Sequence, residues 1–209
     1  MGTAQQYNTG VDTGVILAGG KNRRFPLIKS FIKVEGVAII ERNISVLQEL
    51  FAEVLISTNT PEVYFHLGVP LLGDALPASG PMTGIYTALL NSKGEDVFAV
   101  ACDMPFISRE LILFLCRKHR EILHAKPVGA TVPVFNGEPQ PLFGVYAKTV
   151  LPRLEEGILR GKTSMRRFLG EIETNLVDES EVRMRDPEGR SFINVNTVED
   201  YEAVMRSRK

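Results

Sequence analysis

The sequence predicts an α/β protein with a mostly parallel sheet that carries helices on both faces. Strand and helix patterns alternate along the chain, which favours parallel strands joined by helical crossovers. The run at 97–101 (Val-Phe-Ala-Val-Ala) is apolar without alternation, as is typical of a strand covered on both faces. A length of 209 residues suits a single domain over residues 1–209 with a full core, in which 1–12 form a flexible N-terminal extension.

Short apolar runs and helical spacing predict the elements in chain order. The predicted strands cover residues 14–17, 31–34 (a short extended piece), 53–57, 69–72, 96–101, 130–134 and 142–146. In the first predicted helix, 38–51, apolar residues recur with the helical period. The later predicted helices cover 61–67, a segment ending near Asn91, a segment from the N-cap Ser108 through His119, and then 149–156, 164–169 and 198–207.

The composition narrows the classes of partner. The formal net charge is −1, and a protein that binds nucleic acid or a membrane surface usually has a basic excess, so neither partner is predicted. No apolar run approaches the ~20 residues of a membrane span. The two cysteines, Cys102 and Cys116, make no disulfide framework. We therefore expect both to be reduced, buried thiols in a cytoplasmic protein.

A glycine turn after the first strand is the most informative segment. The apolar run that ends at Leu17 and Ala18 opens into Gly19 and Gly20, and four basic side chains (Lys21, Arg23, Arg24, Lys29) follow within ten residues. Glycines allow backbone N–H groups to approach a ligand closely, and the cations supply counter-charge for an anion such as a nucleotide polyphosphate. The alternative is a tight strand-to-helix turn with a solvated basic face.

Two carboxylates follow predicted strands and indicate a metal site. Asp103 comes directly after the buried strand at 96–101, and Asp74 follows the run at 69–72. Ligands of open α/β sheets bind outside the carboxyl ends of the strands, and hard cations such as Mg²⁺ choose carboxylate oxygens. Alternatively, Asp103 caps the next helix and Asp74 is a solvated loop acid.

Three further segments are weaker candidates. Gly80 and Gly84 flank a helix start, which permits close approach to a base or an anion, although a helix-entry loop explains them equally. Asn59, just past the predicted strand at 53–57, is either a base or ribose contact or a turn asparagine. The segment 194–197 (Asn-Val-Asn-Thr) is either a ligand contact or the N-cap of the last helix through Thr197.

The catalytic patterns of acyl transfer are missing from the sequence. No Ser-His-Asp order is present, and no histidine lies near the two main candidate sites. Phosphoryl transfer needs neither, because it relies on positioning and charge neutralisation.

The residues at 17–24 (Leu-Ala-Gly-Gly-Lys-Asn-Arg-Arg), closed by Lys29, resemble the signature of the molybdenum cofactor guanylyltransferases, a group of MobA-like nucleotidyltransferases. Four more segments recur in the same order in that family: 80–85 (Gly-Pro-Met-Thr-Gly-Ile), 102–105 (Cys-Asp-Met-Pro), 140–143 (Gln-Pro-Leu-Phe) and 194–197. The similarity runs from about residue 14 to the last helix. It implies a three-layer Rossmann-like nucleotidyltransferase fold.

The resemblance also implies an activity, which is transfer of GMP from GTP to molybdopterin with release of pyrophosphate and a requirement for Mg²⁺. Leu-Ala-Gly-Gly at 17–20 favours guanine, since related enzymes that use CTP tend to have Leu-Ala-Ala-Gly. GTP and molybdopterin are then the substrates, and transient contact with molybdoenzymes or their chaperones is expected.

The family pattern also assigns residues to each role. Asp103 is the implied metal ligand, and Arg24 and Lys29 stabilise the departing pyrophosphate. The implied GTP contacts are Leu17, Ala18, Gly19, Gly20, Lys29, Asn59, Asp74 and Asp103, with the backbone N–H groups of 18–20 on the polyphosphate. The implied contacts on the pterin side are Gly80, Pro81, Gly84, Asn194 and Asn196.

One departure from the family pattern falls in the phosphate loop. Pro26 stands where the family has glycine, and Ile28 stands where it has an acid. Because proline fixes φ and removes an N–H donor, we expect a stiffer loop that binds phosphate through side chains. Two other functions stay open at this point: a nucleotidyltransferase that uses CTP or another phosphorylated acceptor, and a nucleotide-binding module without catalysis.

Overall fold

The computed structural model describes residues 9–19, 29–195, 197, 200 and 202. Within these residues the strands are β1 (Thr13–Leu17), β2 (Lys33–Val34), β3 (Val37–Ala38), β4 (Glu53–Ser57), β5 (Leu71–Leu72), β6 (Asp96–Ala101), β7 (Ala130–Phe135), β8 (Glu138–Pro139), β9 (Phe143–Ala147) and β10 (Thr174–Val177). The helices are α1 (Ile39–Leu50), α2 (Pro61–Tyr64), α3 (Pro81–Asn91), α4 (Arg109–Ala125), α5 (Leu151–Leu159), α6 (Met165–Leu169) and α7 (Glu179–Arg183). No α-helix in the described part of the chain is long and apolar enough to cross a membrane.

The main sheet has the strand order β10-β7-β9-β6-β1-β4-β5, and β8 pairs with the last two residues of β7. The pairs β5–β4, β4–β1, β1–β6 and β7–β10 are parallel, whereas β9 runs antiparallel to both β6 and β7. The predicted mostly parallel sheet is therefore confirmed. Leu17 is in register with Ser57 on one side and with Ala101 on the other, so β1, β4 and β6 end at the same edge.

Both faces of the central strands are buried, as the apolar run at 97–101 predicts. Side chains alternate along β1, so that Ile16 packs on one face, with the apolar residues of α1 and α4. Val15 and Leu17 pack on the other face, with the apolar residues of α3 and α5. This three-layer arrangement removes most of the apolar surface from water and keeps the strand ends fixed relative to one another.

Local signals explain where the helices beside the site begin. The Ser108 hydroxyl accepts a hydrogen bond from the N–H of Leu111 at 3.2 Å and caps α4, as predicted. Pro81 occupies the first turn of α3, where its missing N–H costs nothing. Gly80 before it has φ +144°, a conformation that glycine tolerates and other residues rarely adopt.

Several predicted boundaries are wrong in detail. The segment at 31–34 is not one extended piece, because a short 3₁₀ helix (Lys29–Phe31) precedes β2. The predicted helix 61–67 divides into α2 and a 3₁₀ turn (Phe65–Leu67), and α4 continues beyond His119 to Ala125. Both β10 and α7 were not predicted. The predicted helix 198–207 lies outside the described residues.

Candidate active site

The ends of β1, β4 and β6 are joined by backbone hydrogen bonds. The N–H of Ala18 donates to the carbonyl of Ser57 at 2.8 Å, and the N–H of Cys102 donates to the carbonyl of Leu17 at 3.2 Å. The segments that follow these strands, including Gly19, Asn59 and Asp103, therefore leave the sheet side by side. This edge is where open α/β sheets bind their ligands.

The hydrogen bond of Ala18 corrects one expectation. Its N–H belongs to the sheet, so it is not available to hold a polyphosphate, and the backbone donors of the turn begin at Gly19. Gly19 is exposed, and no described atom lies within 4 Å of the position that a Cβ would take on it. The open side of this glycine leaves room for a ligand to approach the backbone.

Asp103 lies two residues beyond β6 and is half-buried, with its Oδ1 atom shielded from solvent. Its carbonyl accepts a hydrogen bond from the N–H of Val195 at 2.9 Å. This bond brings the exposed Asn194 next to Asp103, so two segments that are far apart in the sequence lie side by side. Nothing in the local sequence at either position signals this contact.

Asn59 and Asp74 form a reciprocal pair. The Nδ2 of Asn59 donates to the Oδ2 of Asp74, and the N–H of Asp74 donates to the Oδ1 of Asn59 at 2.9 Å. Both the nitrogen and the oxygen of the Asn59 amide thus bind Asp74 and fix its orientation. The structure therefore brings together two residues that the sequence analysis treated separately, at the ends of the adjacent strands β4 and β5.

The glycines of the 80–84 segment have different surroundings. No described atom lies within 4 Å of a Cβ placed on Gly80, whereas a Cβ on Gly84 would lie 2.9 Å from Ser57 Oγ and 3.0 Å from Leu17 Cδ2. Gly84 is buried and lets α3 pack closely on β1 and β4. The structure thus gives Gly84 a packing role and places Gly80 and the half-buried Pro81 at the more open end of the segment.

The chain directly after Lys29, the last of the four basic residues, is held in place by a buried contact that the sequence does not predict. Ser30, directly after Lys29, has its Oγ 3.0 Å from the hydroxyl of Tyr64, and both residues are buried. Phe31 stacks on the Tyr64 ring with centroids 5.6 Å apart. Burial raises the pKa of Tyr64, so its hydroxyl keeps its proton at neutral pH. The apolar position of Tyr64 in its short helix is the only sequence signal for this contact.

Several predicted residues lie outside the described part of the chain. These are Gly20, Arg24 and Asn196, together with the loop residues Pro26 and Ile28 and the side chain of Lys29. The described residues contain no cluster of three or more His, Cys, Asp or Glu side chains arranged for a metal. Of the two thiols, Cys116 is buried as expected, whereas Cys102 beside the site is only half-buried.

A cavity of about 390 Å³ opens at the carboxyl end of β7. Phe135, Gln140 and Ile193 contribute to its lining, and Ile193 leads directly to Asn194. The Nε2 of Gln140 donates to the carbonyls of Phe135 and Glu138, at 3.3 and 3.1 Å, and so braces the β7–β8 hairpin beside the cavity. The 140–143 segment therefore lies at the same edge of the sheet as Asp103.

Comparison with known proteins agrees with the fold. A crystal structure of molybdopterin-guanine dinucleotide biosynthesis protein A from Archaeoglobus fulgidus superposes with a TM-score of 0.79 at 24% identity, covering 94% of this chain and 100% of that one. The sheet order and this likeness define the fold of a nucleotidyltransferase. The chain belongs to the MobA-like NTP transferase family, whose domain model matches residues 14–176.

Two curated relatives cover nearly the full chain. A "Molybdenum cofactor guanylyltransferase" from Syntrophotalea carbinolica is 32% identical over 194 residues, which are 93% of this chain and 90% of the relative. A "Probable molybdenum cofactor guanylyltransferase" from Pelotomaculum thermopropionicum is 36% identical over 188 residues, which are 90% of this chain and 89% of the relative. The family assignment confirms the predicted enzyme class, a nucleotidyltransferase, and enzymes of this class generally use a divalent metal.

Proposed function

We propose that this chain transfers GMP from GTP to molybdopterin and so forms molybdopterin guanine dinucleotide and pyrophosphate. The observation that carries the proposal is the convergence of Gly19, Asp103 and the Asn59–Asp74 pair at one edge of the sheet. The names of the relatives support the same activity and do not favour CTP or another acceptor.

GTP binds across the ends of β1, β4 and β5 in this proposal. Leu17, Ala18 and Gly19 lie against the nucleotide, with Gly19 and Gly20 approaching the polyphosphate through their backbone. Asp74, held by Asn59, accepts hydrogen bonds from the sugar or base, because a carboxylate is an acceptor only. Lys29 and Arg24 carry the counter-charge for the phosphates.

Asp103 is the proposed ligand for Mg²⁺. Its half-buried carboxylate lies at the open edge of the sheet, and carboxylate oxygens are the protein ligands that Mg²⁺ takes alongside substrate phosphates and water. The residues present therefore fit the ion. When bound, Mg²⁺ neutralises charge on the phosphate oxygens.

The transfer step needs no general base. An anionic oxygen of the molybdopterin phosphate forms a bond to the α-phosphorus of GTP, and the bond from that phosphorus to the bridging oxygen of pyrophosphate breaks. Two anions must meet, so charge repulsion is the main barrier that the protein lowers. Arg24 and Lys29 stabilise the negative charge that develops on the leaving pyrophosphate.

The acceptor binds at the same edge, between the start of α3 and the segments that follow β6 and β7. The proposed contacts are Gly80, Pro81, Asn194 and Asn196, with Gly84 acting by setting the position of α3. The cavity beside Gln140 adjoins Asn194 and gives the pterin a place to bind. Handover of the product requires transient contact with molybdoenzymes or their chaperones.

The test is pyrophosphate release from GTP or CTP, with Mg²⁺, in the presence and absence of molybdopterin. We expect release with GTP that depends on molybdopterin and falls at least ~10-fold with CTP. The Asp103→Asn variant should lose about 10²-fold or more in turnover with its fold retained, whereas Asp178→Asn, at the start of α7, should keep the wild-type rate. Preference for CTP, or tight GTP binding without acceptor-dependent release, would overturn the proposal.

A further inference from the structure

A second cavity, of about 360 Å³, lies between α1 and the loop that leads from Asp103 into α4. We call it the α1 cavity; Arg42 and Asn43 of α1, Phe106 and Ser108 of the loop, and Arg190 contribute to its lining. None of the residues assigned above to GTP, to the metal or to the acceptor lines it. Its chemistry therefore calls for a separate explanation.

Asn43 is the unusual feature of the α1 cavity. Its side chain is completely buried, and neither its Nδ2 nor its Oδ1 has a hydrogen-bond partner among the described residues. It lies on the face of α1 that is otherwise apolar, between Ile40 and Ile44. Buried amides are nearly always hydrogen-bonded, because removing them from water without a partner is costly. The Asn43 side chain therefore needs a donor and an acceptor that the described protein does not supply.

Two arginines make the lining cationic. Among the described residues, Arg42 forms only long contacts, with the carbonyl of Val34 at 3.4 Å and with the exposed Glu35 at 3.3 Å, and such surface pairs hold a charge weakly. Arg190 lies over the Phe106 ring at 4.9 Å, a contact that uses the face of the guanidinium and not its N–H donors. Both guanidinium groups therefore retain donors for a ligand.

Asp186, the acidic residue in the lining, already accepts two hydrogen bonds from the protein backbone. The carboxylate of Asp186 accepts backbone N–H groups from Arg190 at 2.9 Å and from Ser191 at 2.8 Å. Its role is to shape the turn that carries Arg190. Ser108 caps the 17-residue helix α4, whose N-terminus adds partial positive charge to this side of the α1 cavity.

We propose that the α1 cavity binds a small oxyanion, either inorganic phosphate or the phosphate or carboxylate group of a metabolite. Asn43 Nδ2 donates to an anion oxygen, and Arg42 and Arg190 neutralise its charge. Asn43 Oδ1 requires a donor as well. Hydrogen phosphate offers both an O–H and acceptor oxygens, whereas a carboxylate offers acceptors only, so phosphate binds more tightly.

Isothermal titration with inorganic phosphate, and separately with acetate, tests the proposal on the intact chain. The variants are Asn43→Leu, which keeps the branched shape of the side chain and removes the amide, and Arg190→Gln. Arg153→Gln on α5 is the matched control, since it makes the same change in charge in an exposed residue on the other face of the sheet. Lys29→Ala reports phosphate bound in the nucleotide site.

We expect phosphate to bind the α1 cavity more tightly than acetate, with affinity reduced at least 10-fold in Asn43→Leu and Arg190→Gln and unchanged in Arg153→Gln. Lys29→Ala should weaken only phosphate bound in the nucleotide site and leave a binding event that Asn43→Leu removes. Phosphate binding that survives Asn43→Leu and disappears in Lys29→Ala would place the anion in the nucleotide site and overturn the proposal. So would wild-type protein that binds no phosphate, which would leave Asn43 to bond with water. If Asn43→Leu does not fold, Arg190→Gln and Arg42→Gln decide the question by the same criterion.

Discussion

At the scale of single residues, the buried hydroxyl of Tyr64 links α2 to Ser30, which directly follows Lys29. Ser30 and Phe31 contact Tyr64 immediately after Lys29, the residue proposed to bind phosphate. A lysine on a flexible stem binds a phosphate best when its backbone is held in place. Tyr64 is thus a positioning residue in this proposal, acting through Ser30.

Removing the Tyr64 hydroxyl tests that role. In Tyr64→Phe the ring still stacks on Phe31 but the bond to Ser30 is lost, which should lower stability by about 1 kcal/mol and raise the KM for GTP several-fold with kcat little changed. Ser30→Ala should do the same, and the double variant should add little more. Tyr146→Phe, which loses a buried hydroxyl bond to the Pro141 carbonyl, is the control. It should lose stability without a change in KM, and an equal rise in KM there would contradict the prediction.

Buried thiol and tyrosine hydroxyl groups should make the free energy of unfolding fall at alkaline pH. Burial, reinforced by the nearby Asp96, raises the pKa of the Cys116 thiol, and burial also raises the pKa of Tyr146 and Tyr64. The unfolded chain loses the thiol proton near its ordinary value of about 8.5, whereas the folded chain retains it. Above that pH the folded state therefore binds more protons, and the free energy of unfolding falls by up to about 1.4 kcal/mol per pH unit per group.

Urea unfolding between pH 7 and 10.5 measures this dependence. Wild-type stability should begin to fall near pH 8.5 and fall more steeply above pH 10, where the tyrosines of the unfolded chain also ionise. Cys116→Ala should lower stability at pH 7 but show a shallower slope between pH 9 and 10. Ile112→Val, a mild core change in the same helix, should keep the wild-type slope; identical slopes in all three proteins would refute the assignment to Cys116.

At the scale of elements, the packing of α3 against the sheet determines where the 80–84 segment lies. Gly84 permits that packing, since a Cβ there would lie within 3.0 Å of Ser57 Oγ and Leu17 Cδ2. The same two residues sit at the ends of β4 and β1. Displacing α3 would therefore disturb the glycine turn as well as the pterin side.

Gly84→Ala measures this coupling. Overpacking at a tight contact costs about 1–3 kcal/mol, so we expect a loss of stability in this range together with a rise in KM for GTP. Gly157→Ala in α5 is the matched control, because its nearest neighbour is the terminal methyl of Met82 at 3.2 Å, which can move. That variant should be neutral or stabilised, as expected for alanine in a helix. If Gly84→Ala changes neither the stability nor the KM for GTP, the extra methyl group fits without moving α3 and the prediction is wrong.

At the scale of the whole molecule, the elements that the sequence predicts well are those fully buried in the sheet. The central strands β1, β4 and β6 were predicted within one residue because continuous apolar runs admit no other placement in a covered sheet. The edge strand β10 was missed, since Thr174 and Asn175 are polar and only half-buried. Asp103 was found because it follows a buried strand, but the contact with Val195 depends on the folded chain path, which local patterns do not encode.

The separation of the site residues along the chain has a thermodynamic consequence. Residues 17–19, 59, 74 and 103 come to one edge of the sheet only in the folded protein, so a ligand that contacts all of them binds the folded state and not the unfolded chain. GTP with Mg²⁺ at 100 times its Kd should raise the free energy of unfolding by about 2.7 kcal/mol. Because Asp103 supplies the proposed metal ligand, chelation of the metal or the Asp103→Asn substitution should remove most of that gain. Differential scanning calorimetry with GTP, CTP and EDTA checks the prediction. A GTP-induced rise in melting temperature that persists unchanged in EDTA and in Asp103→Asn would separate nucleotide binding from Asp103 and contradict the proposed site.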